Sequence, residues 1–563
     1  MSKQFLILIV ISGLSVLNCN SQVVNSDDRL RLTVMQYGQV GVTIPYTNII
    51  NIDLLTTNVS ILSVKDKIVY IRLSALTVEW FIQQKFNYQI TEQPVIKTLP
   101  VVTKVLPMQW DKYPTYSQYD SIMHFFLNRY PSLCRLDTIG TSINGKLVLA
   151  LRISGSSDVK PAVFYTSSMH GDEIGGYILM LHLADYLLKN YTAGSRVKSL
   201  LDNLEIWINP LANPDGTYGT GNVISSPVRF NANGYDLNRN FPDPITPNTI
   251  KQKETLDMIK FMRKHKFVLS ANFHSGSEVV NYPWDRWLSK LHADDAWFNS
   301  ISRSYADTVH VYSGTAYMNI LDNGVTRGAL WYIIYGGRQD FMTGELHGRE
   351  VTIELDDQFI TPEAQLSLLW QNNWHSLIGY LENALYGVHG HVENATTHLP
   401  VPAKVFIESH DKDSSQVYSD TLTGNFVRFL SPGSWDLTFS ATGYFSVTKT
   451  SVAVSQGQRT DLMVDMSPIV SSIDPSATAS HLTIYPNPAK SFINALLPDK
   501  LTGKVNIRIF SESGILLTDY NTEVTQGIPV TIDLKGMSEG IYTIVFRTTE
   551  SRSSFHGRFV VIK

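Results

Sequence analysis

The chain has 563 residues, a net charge of −4 from 46 basic and 50 acidic residues, and 43% apolar content. That length exceeds a single hydrophobic core and implies three or four domains. The balanced charge, with no polybasic tract, argues against nucleic-acid binding by phosphate neutralisation, and past the first residues no apolar run is long enough to span a membrane.

At the start, Lys3 precedes Phe5-Leu-Ile-Leu-Ile-Val-Ile11, a softer stretch to Leu17 and then polar Asn-Cys-Asn-Ser. This reads as a secretory signal peptide over 1–21, cut near Ser21. Cys19 is alternatively a lipidated cysteine, although Asn18 is larger than the small residue a lipobox wants. With the signal removed, Cys134 is the only cysteine, so no intrachain disulfide is expected in an exported chain; its apolar setting suits a small buried hydrophobe.

From 27 to 105, short β-like runs (Arg29-Leu-Arg-Leu-Thr-Val, Ile68-Val-Tyr-Ile-Arg-Leu) flank a helical segment, Thr77 to Phe86, and predict an α+β module. A Pro- and Lys-containing linker, 93–107, follows. Between 108 and 385 strand-like and helix-like segments alternate, with helices expected near 117–129, 174–189, 251–265 and 362–384. The pattern predicts an α/β domain: a mixed sheet with helices on both faces and ligands at the carboxyl ends of its strands. Helices then stop. Residues 387–467 read as a β-sandwich, 468–480 as a Ser/Ala/Pro linker, and 482–563 as a second β-sandwich.

The chemistry begins where the apolar run from Ala162 ends in Ser-Met-His170-Gly-Asp-Glu173 and a helical stretch follows at once. An imidazole and a carboxylate three residues apart on a strand-to-helix turn suit two ligands of one zinc ion. About one HxxE is expected by chance in such a composition. A second, His347-Gly-Arg-Glu350, opens a strand-like run with no helix behind it, and His347 reads as a loop histidine. A third ligand is supplied at another strand end, Val268-Leu-Ser-Ala-Asn-Phe-His274. Two His and one Glu, with water in the fourth place, are a hydrolase arrangement. Glu354 alternates against Val351, Ile353 and Leu355, and a carboxylate on a buried strand marks a general base. Arg229-Phe-Asn-Ala-Asn-Gly-Tyr-Asp236-Leu-Asn238-Arg239 gathers guanidiniums and amides that suit a substrate carboxylate and an oxyanion, with Asp236 placed to orient a ligand imidazole. Taken singly, each reads more readily as a surface Arg or a turn Asn, and only their joint presence with the HxxE and the strand-end His favours the site.

Together, His170-x-x-Glu173, Asp236-Leu-Asn-Arg-Asn-Phe-Pro, His274 and Glu354 resemble the zinc carboxypeptidases of the M14 family over roughly 108–385. The resemblance implies that Arg229 and zinc polarise the scissile carbonyl, that Asn238 and Arg239 hold the terminal carboxylate, and that Tyr332 closes over the substrate. His274-Ser-Gly-Ser-Glu-Val-Val-Asn-Tyr-Pro-Trp-Asp285 and Gln339 resemble the regulatory (N/E/D) branch, where an acid at this spacing favours C-terminal Lys or Arg. Asp285 is alternatively an exposed loop acid. Phe341-Met-Thr-Gly-Glu-Leu-His-Gly departs from the branch's aromatic-rich pattern. The 387–467 segment is similar to the transthyretin-like sandwich of that branch, and 27–105 is weakly similar to M14 propeptides, which implies a cover over the cleft. Residues 482–563, with Tyr485-Pro-Asn-Pro-Ala and Phe559-Val-Val-Ile-Lys, resemble the C-terminal sorting domain of type IX secretion, or else a plain adhesion-type sandwich.

The expectation is therefore a secreted zinc carboxypeptidase acting on peptide or protein C-termini, preferring Lys or Arg, and engaging the secretion machinery through its C-terminal domain. Alternatives are a carboxypeptidase for apolar ends, a cell-wall peptide hydrolase, or a non-catalytic surface peptide-binding protein.

Overall fold

The structure is a computed structural model describing residues 25–47, 50–91, 109–247, 249–469, 482–497, 502–512, 515–548 and 554–562. The expected signal peptide with Cys19, the 93–107 linker and most of the 468–480 linker lie outside these residues. The chain divides into two compact units, Met1–Ser467 and Pro468–Lys563.

The first unit opens with a correction. Residues 29–34, expected as a strand, belong to the helix Ser26–Tyr37. Leu30, Leu32 and Val34 alternate as in a strand, but Leu30 and Val34 are also four apart, and the ends decide. Asn25 caps the helix by accepting from Asp27 N, Asp27 and Asp28 lie in the first turn, and Gly38 ends it at φ 75°. Leu30 and Val34 are buried while Leu32 faces out. The helix joins an antiparallel four-stranded sheet ordered Ser60–Lys65, Ile68–Leu73, Val40–Pro45, Gln89–Ile90, which leaves Ser60–Lys65 at an edge. The helix expected from Thr77 forms as Val78–Gln83.

The α/β expectation for the next segment holds. Eight strands form a mixed sheet in the spatial order Val325–Arg327, Ser277–Tyr282, Arg349–Asp356, Leu269–His274, Ala162–Ser167, Glu205–Asn209, Leu147–Ile153, Cys134–Thr141. Ala162–Ser167 shows why both faces are covered. Val163 and Tyr165 enter one apolar cluster with the helices Tyr116–Arg129, Gly175–Lys189, Asp295–Ser313 and Leu366–Glu382, while Ala162 and Phe164 enter another with Lys253–His265. Every residue of the strand is buried, and each large apolar side chain so covered contributes roughly 1.5–3 kcal/mol. Tyr116–Arg129 begins at a capping box in which Thr115 and Gln118 satisfy each other's backbone N–H groups. Cys134 is free and buried, and burial pushes its thiol up to about 12, in keeping with a small buried hydrophobe.

Residues 387–467 form a three-stranded and a four-stranded sheet enclosing Val388, Val405, Leu437, Phe439 and Val464. They are joined to the α/β sheet by a buried ionic hub. The Asp294 carboxylate accepts from Arg349 Nη2 at 2.7 Å and Arg428 Nη1 at 2.6 Å, and lies 2.9 Å from His410 Nε2. Arg428 also reaches Asp411 at 2.6 Å. The second unit pairs a three-stranded with a four-stranded sheet around Ile493, Ile507, Ile544 and Phe559. Among the described residues, no helix is long and apolar enough to cross a membrane.

The hub carries a stability prediction. Asp294→Ala strands two buried guanidiniums and is expected to cost about 3–5 kcal/mol, read from the urea unfolding midpoint; a loss below about 1 kcal/mol contradicts the hub. Burial works to raise the Asp294 carboxyl, but Arg428 and Arg349 overcome it and hold it well below the usual range. Its stabilisation is therefore complete above the ordinary carboxylate pKa of about 4 and is lost as pH falls through the lower folded value.

Candidate active site

The strand Ala162–Ser167 ends at Ser168, whose φ of 54° turns the chain sharply toward the helix Gly175–Lys189. Inside the turn, a Cβ on Gly171 would collide with the Gly216 backbone, so no larger residue permits this approach. The turn presents His170 and Glu173 to one point. Leu269–His274 runs parallel beside the first strand and ends at the same level, bringing His274 to that point.

His170 Nδ1 lies 2.8 Å from Glu173 Oε1, His274 Nδ1 lies 2.8 Å from Glu173 Oε2, and the two ring nitrogens are 3.1 Å apart. One ligand atom from each residue falls within 4.8 Å of the others, and all three side chains are buried. Asp236 Oδ1 sits 3.0 Å from His170 Nε2, and Asp236 Oδ2 accepts from Arg229 Nε at 2.9 Å. A proton on Nε2 of His170, held by Asp236, turns the Nδ1 lone pair inward. Lone pairs converging in a dry pocket repel unless a cation lies between them. Two imidazole nitrogens and a carboxylate form a donor set that zinc accepts, so the residues fit the metal. Burial works to raise the Glu173 carboxyl, but the His170 and His274 imidazoles overcome it and hold it well below the usual range.

Glu354 pairs level with His274 in the parallel register of Arg349–Asp356 with Leu269–His274. It faces the same cleft as Thr352, Asn238, Arg239, Asp285 and Tyr332. Burial, reinforced by the Glu173 charge, pushes its carboxyl well above the usual range. Arg229 also donates from Nη1 to Glu173 Oε1 at 2.9 Å, which fixes its guanidinium plane. Asn238 Oδ1 accepts from Arg338 N at 2.9 Å. Arg239 directs Nη1 to Asn238 O and Nη2 to Ile61 O, both at 3.1 Å.

At the far end of the cleft Asp285 is buried, not an exposed loop acid. Its Oδ1 accepts from Gln339 Nε2 at 2.9 Å and Asn281 Nδ2 at 3.2 Å. A Cβ on Gly328 would overlap that oxygen, so Gly328 makes the room in which Asp285 sits. The second HxxE does not converge: His347 Nδ1 lies 3.0 Å from Ser414 O, and Glu350 pairs with buried Arg338 at 3.0 Å. Gln339 and the start of the segment that follows it lie in the short helix Arg338–Gly344, whose Phe341 and Met342 enter the apolar core behind the site.

The N-terminal module lies over this cleft. Gln39 accepts from Arg229 N at 2.9 Å and Ser60 Oγ donates to Asp236 Oδ2 at 2.7 Å. The edge strand Ser60–Lys65 shifts register between Ile61 and Ser63, and Leu62 at that bulge lines the cleft with His170 and His274. Tyr332 packs against the module's own apolar core.

Residues 119–376 match the zinc carboxypeptidase family, and 483–562 match the secretion system C-terminal sorting domain. Mouse (Mus musculus) carboxypeptidase M is 33% identical over 335 residues, covering 56% of this chain and 75% of that protein. The chain belongs to the zinc carboxypeptidase family. The mouse carboxypeptidase N catalytic chain is 31% identical, covering 60% of this chain and 82% of that protein. Human (Homo sapiens) carboxypeptidase D is 36% identical over 350 residues, 59% of this chain, which spans about a quarter (25%) of that relative's length. A crystal structure of carboxypeptidase A from Helicoverpa armigera matches at 17% identity and a TM-score of 0.48, covering 62% of this chain and 97% of that one.

Sequence reasoning missed Gly328 and Asn281 within this zinc carboxypeptidase domain, and Ser60 and Leu62 outside it. Gly328 and Asn281 carry no periodic signal, although Asn281 stands in the Asn-Tyr-Pro-Trp-Asp run. Ser60 and Leu62 reach the cleft only through the packing of a separate module.

The donor cluster predicts a metal-dependent stability. Zinc at about 100 times its Kd adds about 2.7 kcal/mol to unfolding, so zinc is expected to raise the melting temperature of the wild type and not of His274→Ala. An equal shift in both would place the metal elsewhere.

Proposed function

We propose that the protein is a secreted zinc metallocarboxypeptidase that removes C-terminal residues from peptides or proteins and prefers Lys or Arg. The observation that carries this reading is the convergence of His170, Glu173 and His274 within 4.8 Å, with Glu354 level with His274 on the next strand. Membership of the zinc carboxypeptidase family supports it, as does the sorting domain, which belongs to export by type IX secretion. In this reading residues 387–467 are the transthyretin-like companion of the regulatory branch.

His170, Glu173 and His274 would hold zinc. When bound, the metal supplies Lewis acidity and a water whose pKa falls toward about 7. Glu354, its carboxyl raised by burial, takes the proton from the attacking water and returns it to the leaving amine nitrogen. Arg229, its plane fixed by Asp236 and Glu173, steadies the oxyanion that forms on the scissile carbonyl. Arg239 and Asn238 grip the terminal carboxylate, the amide being oriented by the Arg338 N–H group. Tyr332 closes over the substrate, and Asp285, with Gln339 beside it, attracts the terminal cation.

The Asp285 carboxyl is raised first by burial and then by the charge of Asp340. A seated ammonium or guanidinium favours the ionised form, so the terminal side chain and the acid stabilise each other's charge. Paired assays on peptides ending in Lys and in Phe, with and without a chelator, test the reading. The expected result is chelator-sensitive release favouring Lys, a loss of about 10²–10⁴-fold in Glu354→Gln, and loss of the Lys preference in Asp285→Ala. Chelator-insensitive release, or binding without release, would overturn it.

The enzyme is latent in this reading, because the module seats Leu62 in the cleft and lets Ile61 O occupy Arg239. Removing residues 27–105 is expected to raise the rate on peptides at least several-fold; an unchanged rate would reject latency.

A further inference from the structure

Asp285 is not on a regular element. It follows the strand Ser277–Tyr282 in a stretch of bends, where the carbonyls of Trp284 and Asp285 accept from Ala329 N and Ile334 N while its own N–H turns to a side chain. Its peptide N–H donates to Asp340 Oδ1 at 3.0 Å, and the N–H of Arg286 donates to Asp340 Oδ2, also at 3.0 Å. One carboxylate thus grips two successive peptide groups. Arg286 closes the other side, with Nε 3.2 Å from Asp340 Oδ2 and Nη1 3.5 Å from Asp243 Oδ2.

Asp340 is buried and does not line the cleft, whereas Asp285 does. Each of its oxygens accepts from a backbone N–H group, which turns the carboxylate toward the loop rather than toward a substrate. A second buried acid close to Asp285 also costs like-charge repulsion, which calls for a return elsewhere. The neighbouring residues act on the same site: Gln339 donates to Asp285 Oδ1 and Arg338 N to Asn238 Oδ1. One short turn therefore touches both ends of the bound residue's environment.

We propose that Asp340 is the positioning residue for selection of the terminal side chain, its carboxylate gripping the Asp285 and Arg286 N–H groups so that Asp285 points along the cleft. This rests on the reading of Asp285 as the acid that receives a C-terminal Lys or Arg. Breaking the grip leaves two buried N–H donors unpaired and lets the loop turn Asp285 away. The metal cluster lies on other strands and is untouched.

The test compares the full-length protein with Asp340→Asn, Asp340→Ala, Asp285→Asn and the Asp285→Asn/Asp340→Ala double variant, on peptides differing only in a terminal Lys or Phe. The Lys-to-Phe ratio of kcat/KM is expected to fall about 10-fold in Asp340→Ala, consistent with loss of charge-assisted hydrogen bonds. It falls less in Asp340→Asn, which keeps one acceptor oxygen and the side chain's shape. The fall sits in KM for the Lys peptide rather than in kcat. In the Asp285→Asn background, Asp340→Ala changes the ratio no further, because the residue acts through Asp285. An equal loss on both peptides, or additive effects in the double variant, overturns the proposal. Should Asp340→Ala fail to fold, the isosteric Asn variant decides between these outcomes by the same ratio. A wild type with no Lys preference removes the Asp285 reading and the proposal with it, and is recognised before any variant is made.

Discussion

The parallel pairing of Leu269–His274 with the strands on either side is the constraint from which the site follows. On one side it meets Ala162–Ser167, whose turn carries His170 and Glu173. On the other it meets Arg349–Asp356, which carries Glu354. Parallel neighbours end at the same edge of a sheet, so three remote parts of the chain deliver their side chains to one edge without any contact between them in sequence. A one-residue slip would send His274 or Glu354 to the opposite face, into the apolar clusters that cover the sheet.

A dry site of this kind demands that each charge be answered. Asp236 holds His170 and Arg229 together, and Arg229 also answers Glu173. Glu350, one face-repeat before Thr352 and Glu354, is answered by Asn272, Ser270 and Arg338. Farther out, Asp294 ties the same strand's Arg349 to Arg428 of the β-rich region. Burial also raises the Glu354 carboxyl, here beside the charge of Glu173, the state expected of a group that must exchange a proton.

Much of the site was legible because its chemistry sits on strong local signals. His170 and Glu173 stand on a strand-to-helix turn, His274 ends an apolar run, and Glu354 interrupts another; period and position suffice for these. The helices expected near 117–129, 174–189, 251–265 and 362–384 form at Tyr116–Arg129, Gly175–Lys189, Lys253–His265 and Leu366–Glu382. Residues 29–34 misled because Leu-x-Leu-x-Val satisfies a strand and a helix alike, and only the caps at Asn25 and Gly38 decide. Gly328 was invisible since its contribution is the absence of a side chain beside an acid far away in sequence. Leu62 and Ile61 were invisible because a module must fold and dock before its bulge meets the cleft.

The most direct measurement is the zinc K-edge absorption spectrum of the purified protein after one equivalent of zinc is added. The account predicts a first shell of nitrogen and oxygen only, at about 2.0–2.2 Å, with the outer-shell scattering of two imidazoles, falling to one imidazole in His274→Ala. A shell with no imidazole scattering, or one unchanged by the loss of His274, would contradict it.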